Sequence, residues 1–261
     1  MTTYAEVGLG WTEERFPRAA RWGWEFARDN NMGPNVAWLA EALSEVVELR
    51  PGMRVLDLGC GKAASSIFFA KEFGSEVWAT DLWIRPGDNL KRIEAAGLAD
   101  LVVPVYAEAH SLPYAPGFFD AIVSLDAFHY FGTDDLYART IAGFLKPGGA
   151  LGIIVPGLVN EIESVPEQLV PYWHPEFWSF HSPGWWRRNW ERSAMLDVYH
   201  AELLPEGARC WLGWAEALMA APEAPTDGPR PPAGAGQRDL DMLRADAGRT
   251  LGFSVVAARR V

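Results

Sequence analysis

The sequence predicts an α/β protein built on a doubly wound sheet. Three observations carry that prediction. Short apolar runs of strand length alternate with segments of helical periodicity between Val55 and Val155. The first run, Val55-Leu56-Asp57-Leu58, breaks at Gly59-Cys60-Gly61 and then opens a helix. Such a turn sets bare backbone and helix-terminal amides in front of a ligand. The second run ends at Asp81. An acid at that strand end, about twenty residues past the glycines, is placed to take both hydroxyls of a ribose.

Local pattern justifies each element in turn. Trp11 to Asn30 reads as a helix, with bulky Trp22, Trp24 and Phe26 and with Pro17 near its start. Pro34 suits the first turn of a second helix running to Glu48, where a missing N–H costs nothing. Val36, Leu39, Ala40, Leu43 and Val47 share one of its faces. Arg50-Pro51-Gly52 turns into the first strand. The helix after the glycine turn runs from Ala63 to Phe73, and Glu76 to Thr80 is the second strand. Asp88 is placed to cap a helix to Ala96, which Gly97 stops. The third strand spans Leu101 to Tyr106 and the fourth Phe119 to Leu125, ending in Asp126. Thr133 reads as an N-cap, with Asp134 and Asp135 in a first turn that favours acids. Leu145-Lys146-Pro147-Gly148-Gly149 ends that helix and turns into a fifth strand, Ala150 to Val155.

Residues 156–195 depart from the pattern. Pro166, Pro171, Pro175 and Pro183 break the stretch, and Trp173, Trp178, Trp185, Trp186 and Trp190 crowd into it. We read a cap inserted after the fifth strand. Its rings either form a small core of their own or wall a substrate pocket. Asp197 to Leu204 follows as a sixth strand, and Trp211, Trp214 and Leu218 mark a helix to Ala221. Pro222 to Gly236 lacks periodicity and reads as an exposed loop. Leu240, Leu243 and Ala247 mark a helix closed by Gly248, and Leu251 to Arg259 gives a last strand. With 261 residues and 49% hydrophobic composition, one domain over 1–261 accounts for the chain.

The formal charge of -11 argues against a phosphate backbone or an anionic membrane as partner. Two cysteines make neither a disulfide framework nor a zinc spacing. His174 and His181 lack the spacing of a metal pair, so no metal is expected. The opening Met1 to Glu6 has neither a basic segment nor an apolar core, and no apolar run reaches bilayer length. A soluble, cytoplasmic protein is the expectation.

The set VLDLGCG, TDLW, AEAHSLPY, FDAIVSLDAFHYF and LKPGG, in that order, resembles the class I S-adenosylmethionine-dependent methyltransferases. The likeness is greatest to small-molecule enzymes of the ubiquinone/menaquinone-methylase and cyclopropane-fatty-acid-synthase-like kinds. It covers about Asn31 to Val155; the rest agrees only in general layout. The resemblance implies a Rossmann-like seven-stranded sheet, mostly parallel, with the last strand antiparallel beside the sixth. It implies S-adenosyl-L-methionine as cofactor and a small-molecule methyl acceptor, and leaves room for a homodimer. By the same resemblance Gly59 and Gly61 pass close to the methionine moiety, Asp57 helps hold its amino group and Asp81, with Leu82 beside it, takes the ribose. Glu108 faces the adenine amine, Ala109 offers its N–H to the ring, and Leu125 offers its carbonyl to the amino group. Ala63 stands where the family often has a third glycine, and Glu108 is one carbon longer than the commoner aspartate.

The leading segment, 1–30, would either lie over the cofactor as a lid helix or merely pack on the sheet. His129 and Tyr130 follow the fourth strand, where the chain should face the reacting methyl. His129 is the candidate to take a proton and Tyr130 to orient a substrate. The aromatic content favours a flat or apolar acceptor, or an amine held over ring faces. Two other functions share the glycine turn: a nicotinamide-dependent oxidoreductase, whose G-x-G-x-x-G is only half supplied, and a non-catalytic S-adenosylmethionine-binding partner protein.

Overall fold

The strands are β1 (Arg54–Leu58), β2 (Glu76–Asp81), β3 (Val102–Tyr106), β4 (Phe119–Leu125), β5 (Leu145–Leu158), β6 (Leu196–Leu203) and β7 (Leu251–Arg260). They form one seven-stranded sheet in the order β3-β2-β1-β4-β5-β7-β6. The first five pair in parallel, and β7 inserts antiparallel between β5 and β6. This is the sheet the resemblance implied, seen in a computed structural model that describes residues 1–221 and 235–261.

The helices among these residues are α1 (Trp11–Arg15), α2 (Pro17–Ala20), α3 (Gly23–Asp29), α4 (Val36–Ser44), α5 (Ala64–Phe73), α6 (Pro86–Ala95), α7 (Tyr137–Ala142), α8 (Pro183–Arg192), α9 (Gly207–Ala220) and α10 (Ala235–Asp246). Side chains alternate along each strand, so the sheet buries both faces. Val55, Val77, Ala79, Val123 and Val255 pack toward α4, α5 and α9. Leu56, Leu58, Ile122, Ile153 and Val256 pack toward α7 and α8. None of the described helices is long and apolar enough to cross a membrane.

Several elements differ from expectation, each for a local reason. The single helix over 11–30 is three short ones. Pro17, which has no N–H, starts α2, and Gly23 at φ +74° starts α3. Glu41, buried in α4, accepts the amides of Arg18 and Ala19 at 3.0 and 2.7 Å and so caps α2. The next helix starts after Pro34, because the Asn35 side chain caps it by accepting from Ala37 and Trp38. Asp88 lies inside the first turn of α6, behind Arg85 as N-cap. Thr133 caps nothing; Asp134 turns the chain by accepting the Leu136 amide at 2.8 Å, and α7 starts at Tyr137. Lys146 to Gly149 belongs to β5 as an irregularity, the register moving from Phe119↔Leu145 to Ala121↔Ala150.

The largest difference lies in residues 156–195. Their second half is α8, capped by Ser182 and laid on the sheet. Trp186 and Trp190, one turn apart, are both 0% exposed and pack with Phe128 in the main core. They wall no pocket. The first half is short 3₁₀ turns, in which Leu169 and Phe180 make a smaller core with Met242 and Leu251. The loop expected over 222–236 lies outside the described residues up to 234, and Ala235 and Gly236 open α10.

Candidate active site

A cavity of about 300 Å³ opens at the C-terminal ends of β1, β2 and β4. In an open α/β sheet this is where crossing connections leave a crevice. The register explains how the parts meet. Leu58 pairs with Thr80, so Asp81 stands one step beyond β1, beside the glycine turn. The Gly59 and Cys60 amides both donate to the Thr80 carbonyl, at 2.8 and 3.2 Å. The Gly61 amide donates to Asp81 Oδ2 at 2.8 Å. Asp81 Oδ1 accepts from Trp83 and Ile84 at 2.7 and 2.9 Å. Across the turn, Asn89 Nδ2 donates to the Gly61 carbonyl at 2.9 Å.

The two glycines serve different needs. Gly59 has φ +76°, and a Cβ built there would lie 2.3 Å from the Ala127 Cβ. The chain itself, at the end of β4, requires glycine here. At Gly61 an added Cβ would meet Met32 Sδ at 2.7 Å, the far end of a flexible side chain. Gly61 therefore keeps open a cradle that a movable group covers.

Gly59, Gly61, Asp81, Leu82, Glu108, Ala109, Leu125 and Tyr130 all border this cavity. Glu108 is tied to His110, accepting its backbone amide at 2.8 Å and meeting Nδ1 at 2.8 Å. That bond holds its carboxyl below the usual range. The Ala109 carbonyl accepts the Tyr137 hydroxyl at 3.0 Å, which fixes the β3–β4 connection over the site.

Asp57 lies beneath the turn instead of on the cavity wall. It is 0% exposed, and its Oδ2 accepts the hydroxyls of Ser65 and Ser66, each at 2.6 Å. Burial pushes its carboxyl up to about 6, against those two hydroxyls, and the Asp81 charge adds to the rise. Its Oδ1 has no hydrogen-bond partner among the described residues.

His129 does not border the cavity, and the expectation that it takes a proton is corrected. Its ring packs on Tyr130 at 4.0 Å and on Phe180 at 5.3 Å. Burial drives its pKa down to about 3, so it is a poor proton acceptor at neutral pH. Tyr130 is 51% exposed, with its ring 5.7 Å from Trp83. Burial is the main cause pushing its phenol up to about 12, so it stays protonated.

The start of the second helix was expected either near the methionine end of the cofactor or as a simple helix start, with no residue singled out; three contributors were not named as such from the sequence. Met32 and Gly33 bring the α3–α4 connection over the glycine turn, held there by Trp214 Nε1 donating to the Asn31 side chain and the Gly33 carbonyl at 3.2 and 3.1 Å. The third is Asp126, whose carboxyl lies on the cavity and is pushed by burial up to about 8. The signal that found Asp81, an acid ending a strand, marks Asp126 equally.

Comparison with known proteins agrees with this geometry. Residues 55–149 match the family model of the methyltransferase domain. The 27-O-demethylrifamycin SV methyltransferase of Amycolatopsis mediterranei is 33% identical over 139 residues, 49% of this chain and 50% of that protein. Methyltransferase GfsG of Streptomyces halstedii is 30% identical over 128 residues, 48% of this chain and 46% of that protein. The chain thus spans about half the length of these curated relatives. Among solved structures, the [4+2]-cyclase SpnF superposes with a TM-score of 0.67 at 20% identity, over 99% of this chain and 96% of that one. That likeness is one of fold, which by itself selects no chemistry. The matched stretch starts in β1, runs through the glycine turn and Asp81 and ends inside β5, so the part of the chain that builds the cavity floor is the part that is similar to a methyltransferase domain.

Proposed function

We propose that the protein, acting as one domain over residues 1–261, transfers the methyl group of S-adenosylmethionine to an apolar small molecule. One observation carries this reading: a single cavity holds both the glycine turn with Asp81 and the β4 exit with Asp126, Tyr130 and Phe131. Donor and acceptor have adjoining places in it.

The residues present fit the donor. The volume is that of a small-molecule site. Asp81 is locked beside the turn with lone pairs left for ribose hydroxyls. The orphaned Asp57 Oδ1 under the turn suits a bridge, through water, to an amino group. Leu82, Glu108 and Ala109 would flank the adenine, and the Leu125 carbonyl would take the amino group from the β4 side. When bound, the donor supplies a methyl on a positively charged sulfur, already activated for displacement. The work left to the chain is to align the acceptor and exclude water, effects worth up to about 7–11 kcal/mol in ideal cases.

The rim supports an apolar acceptor. Leu82, Trp83 and Tyr130 are 42%, 60% and 51% exposed and present apolar surface around the opening. A relative named for 27-O-demethylrifamycin SV supports a small-molecule acceptor, and the net charge of -11 disfavours a polyanion.

Calorimetry with S-adenosylmethionine, S-adenosylhomocysteine and a nicotinamide dinucleotide tests the reading. Binding of the first two is expected, weakened about tenfold or more by Asp81→Ala. Heat from the dinucleotide alone would transfer the chain to the oxidoreductases. Binding without S-adenosylhomocysteine formation from any small-molecule extract would leave a non-catalytic binder.

A further inference from the structure

Asp126 has φ +53°, a left-handed conformation that aspartate and asparagine tolerate better than most residues. Its amide donates to the Ile154 carbonyl at 2.8 Å, which fixes the backbone to β5. Its neighbour Ala127 closes on Gly59, so the carboxyl stands next to the glycine turn. A Cβ built on Gly33 would lie 2.2 Å from Asp126 Oδ2, so the α3–α4 connection confines it from above.

The other ionisable groups around the cavity already have assignments. Asp81 accepts three backbone amides, and Glu108 is held by His110. Lys62 donates to the Asp29 carbonyl at 3.1 Å. Burial pushes the Cys60 thiol well up, and the Tyr130 phenol stays protonated, raised by burial and then by the Asp126 charge. Burial alone acts on Asp126; no hydrogen bond or counter-charge from the described residues offsets it. Its pKa lies near neutral pH, where a base is most efficient.

Building on the methyl-transfer reading, we propose that Asp126 is the general base of the reaction and accepts the hydroxyl proton of a neutral alcohol or phenol. A lone pair of the acceptor oxygen forms the new C–O bond. The C–S bond breaks with its electron pair going to sulfur, which loses its positive charge. The O–H pair stays on oxygen as the proton moves to an Asp126 oxygen, and the resulting acid later returns that proton to water. A neutral amine is nucleophilic without proton removal and would leave this carboxylate without a task.

The test uses the full chain loaded with S-adenosylhomocysteine, with 4-propylphenol and benzylamine as probes. Carboxyl-¹³C aspartate labelling gives a resonance identified by its loss in Asp126→Asn, a substitution that suits the left-handed backbone. That resonance is expected to titrate near pH 8 and to move when the phenol is added. With S-adenosylmethionine, phenol methylation is expected to rise with pH through that range, to fall about 10²–10⁴-fold in Asp126→Asn, and to recover in part in Asp126→Glu. A resonance that ignores the phenol, an unchanged rate in Asp126→Asn, a phenol neither bound nor methylated, or preferential use of benzylamine overturns the assignment. If Asp126→Asn fails to fold, loss of the labelled aspartate resonance in Asp126→Glu identifies it, and its response to the phenol in the unaltered protein decides. Failure of the unaltered protein to bind S-adenosylhomocysteine removes the methyl-transfer reading itself, and is seen before any probe is added.

Discussion

Gly59 and Ala63 bracket the turn with the same backbone demand and different side chains. Gly59 sits at φ +76° and Ala63 at φ +59°. A non-glycine residue in the left-handed region costs roughly 1–2 kcal/mol. Ala63→Gly relieves that cost and gives back part of it to the freer unfolded chain, so a net gain of about 0.5–1 kcal/mol in urea unfolding is expected. Gly59→Ala adds the same strain and a clash with Ala127, and should lower stability and abolish S-adenosylhomocysteine binding by calorimetry. Asp57 makes a pH prediction. Its carboxyl rises from the ordinary 3.8 to about 6 in the fold, so the folded chain favours the protonated form. That contribution is complete below the unfolded value and is lost as pH rises through the folded one. Stability should therefore fall between about pH 4 and pH 6, and Asp57→Asn should flatten the fall. Asp126, raised to about 8, extends the decline toward that pH, so the double Asn variant should flatten the whole range.

Helix α8 shows what an element's surroundings add to its composition. Trp186 and Trp190 are fully buried on the sheet, and their indole N–H groups find no partner among the described residues. Trp186→Ala should cost about 3–5 kcal/mol in denaturant unfolding, whereas Trp186→Phe, which breaks no hydrogen bond, should cost far less. Neither residue borders the cavity, so a folded Trp186→Phe should bind S-adenosylhomocysteine as the unaltered protein does. Tryptophans one turn apart read alike in a cap and on a sheet-packed helix, which is why 156–195 was not legible from composition. The strands were legible because both faces of the sheet are buried, and each wrote an apolar run ended by a turn or an acid. Pro17 and Gly23 were readable signals of the broken leading segment, outweighed by its helical periodicity. The cavity's floor could be located because each of its parts directly follows the end of a strand that the apolar runs mark. Its roof, Met32 and Gly33, is brought there by Trp214 from far along the chain, and no local pattern encodes that contact.

At the scale of the whole molecule, a ligand that holds the β1 turn, the end of β2 and the exit of β4 together clamps the sheet at its centre. S-adenosylhomocysteine at a hundred times its dissociation constant should add about 2.7 kcal/mol to unfolding, seen as a rise in melting temperature. A nicotinamide dinucleotide at the same concentration should give no rise. The sheet order has a further consequence for birth on the ribosome. Among the seven strands β6 pairs with β7 alone, and β7 is the last of them to be made. At roughly 5–20 residues per second, residues 196–203 wait on the order of seconds with neither ladder edge satisfied. In that interval the nascent chain offers a bare template to any neighbouring polypeptide, and synthesis, not the finished protein, is when it is most prone to clump.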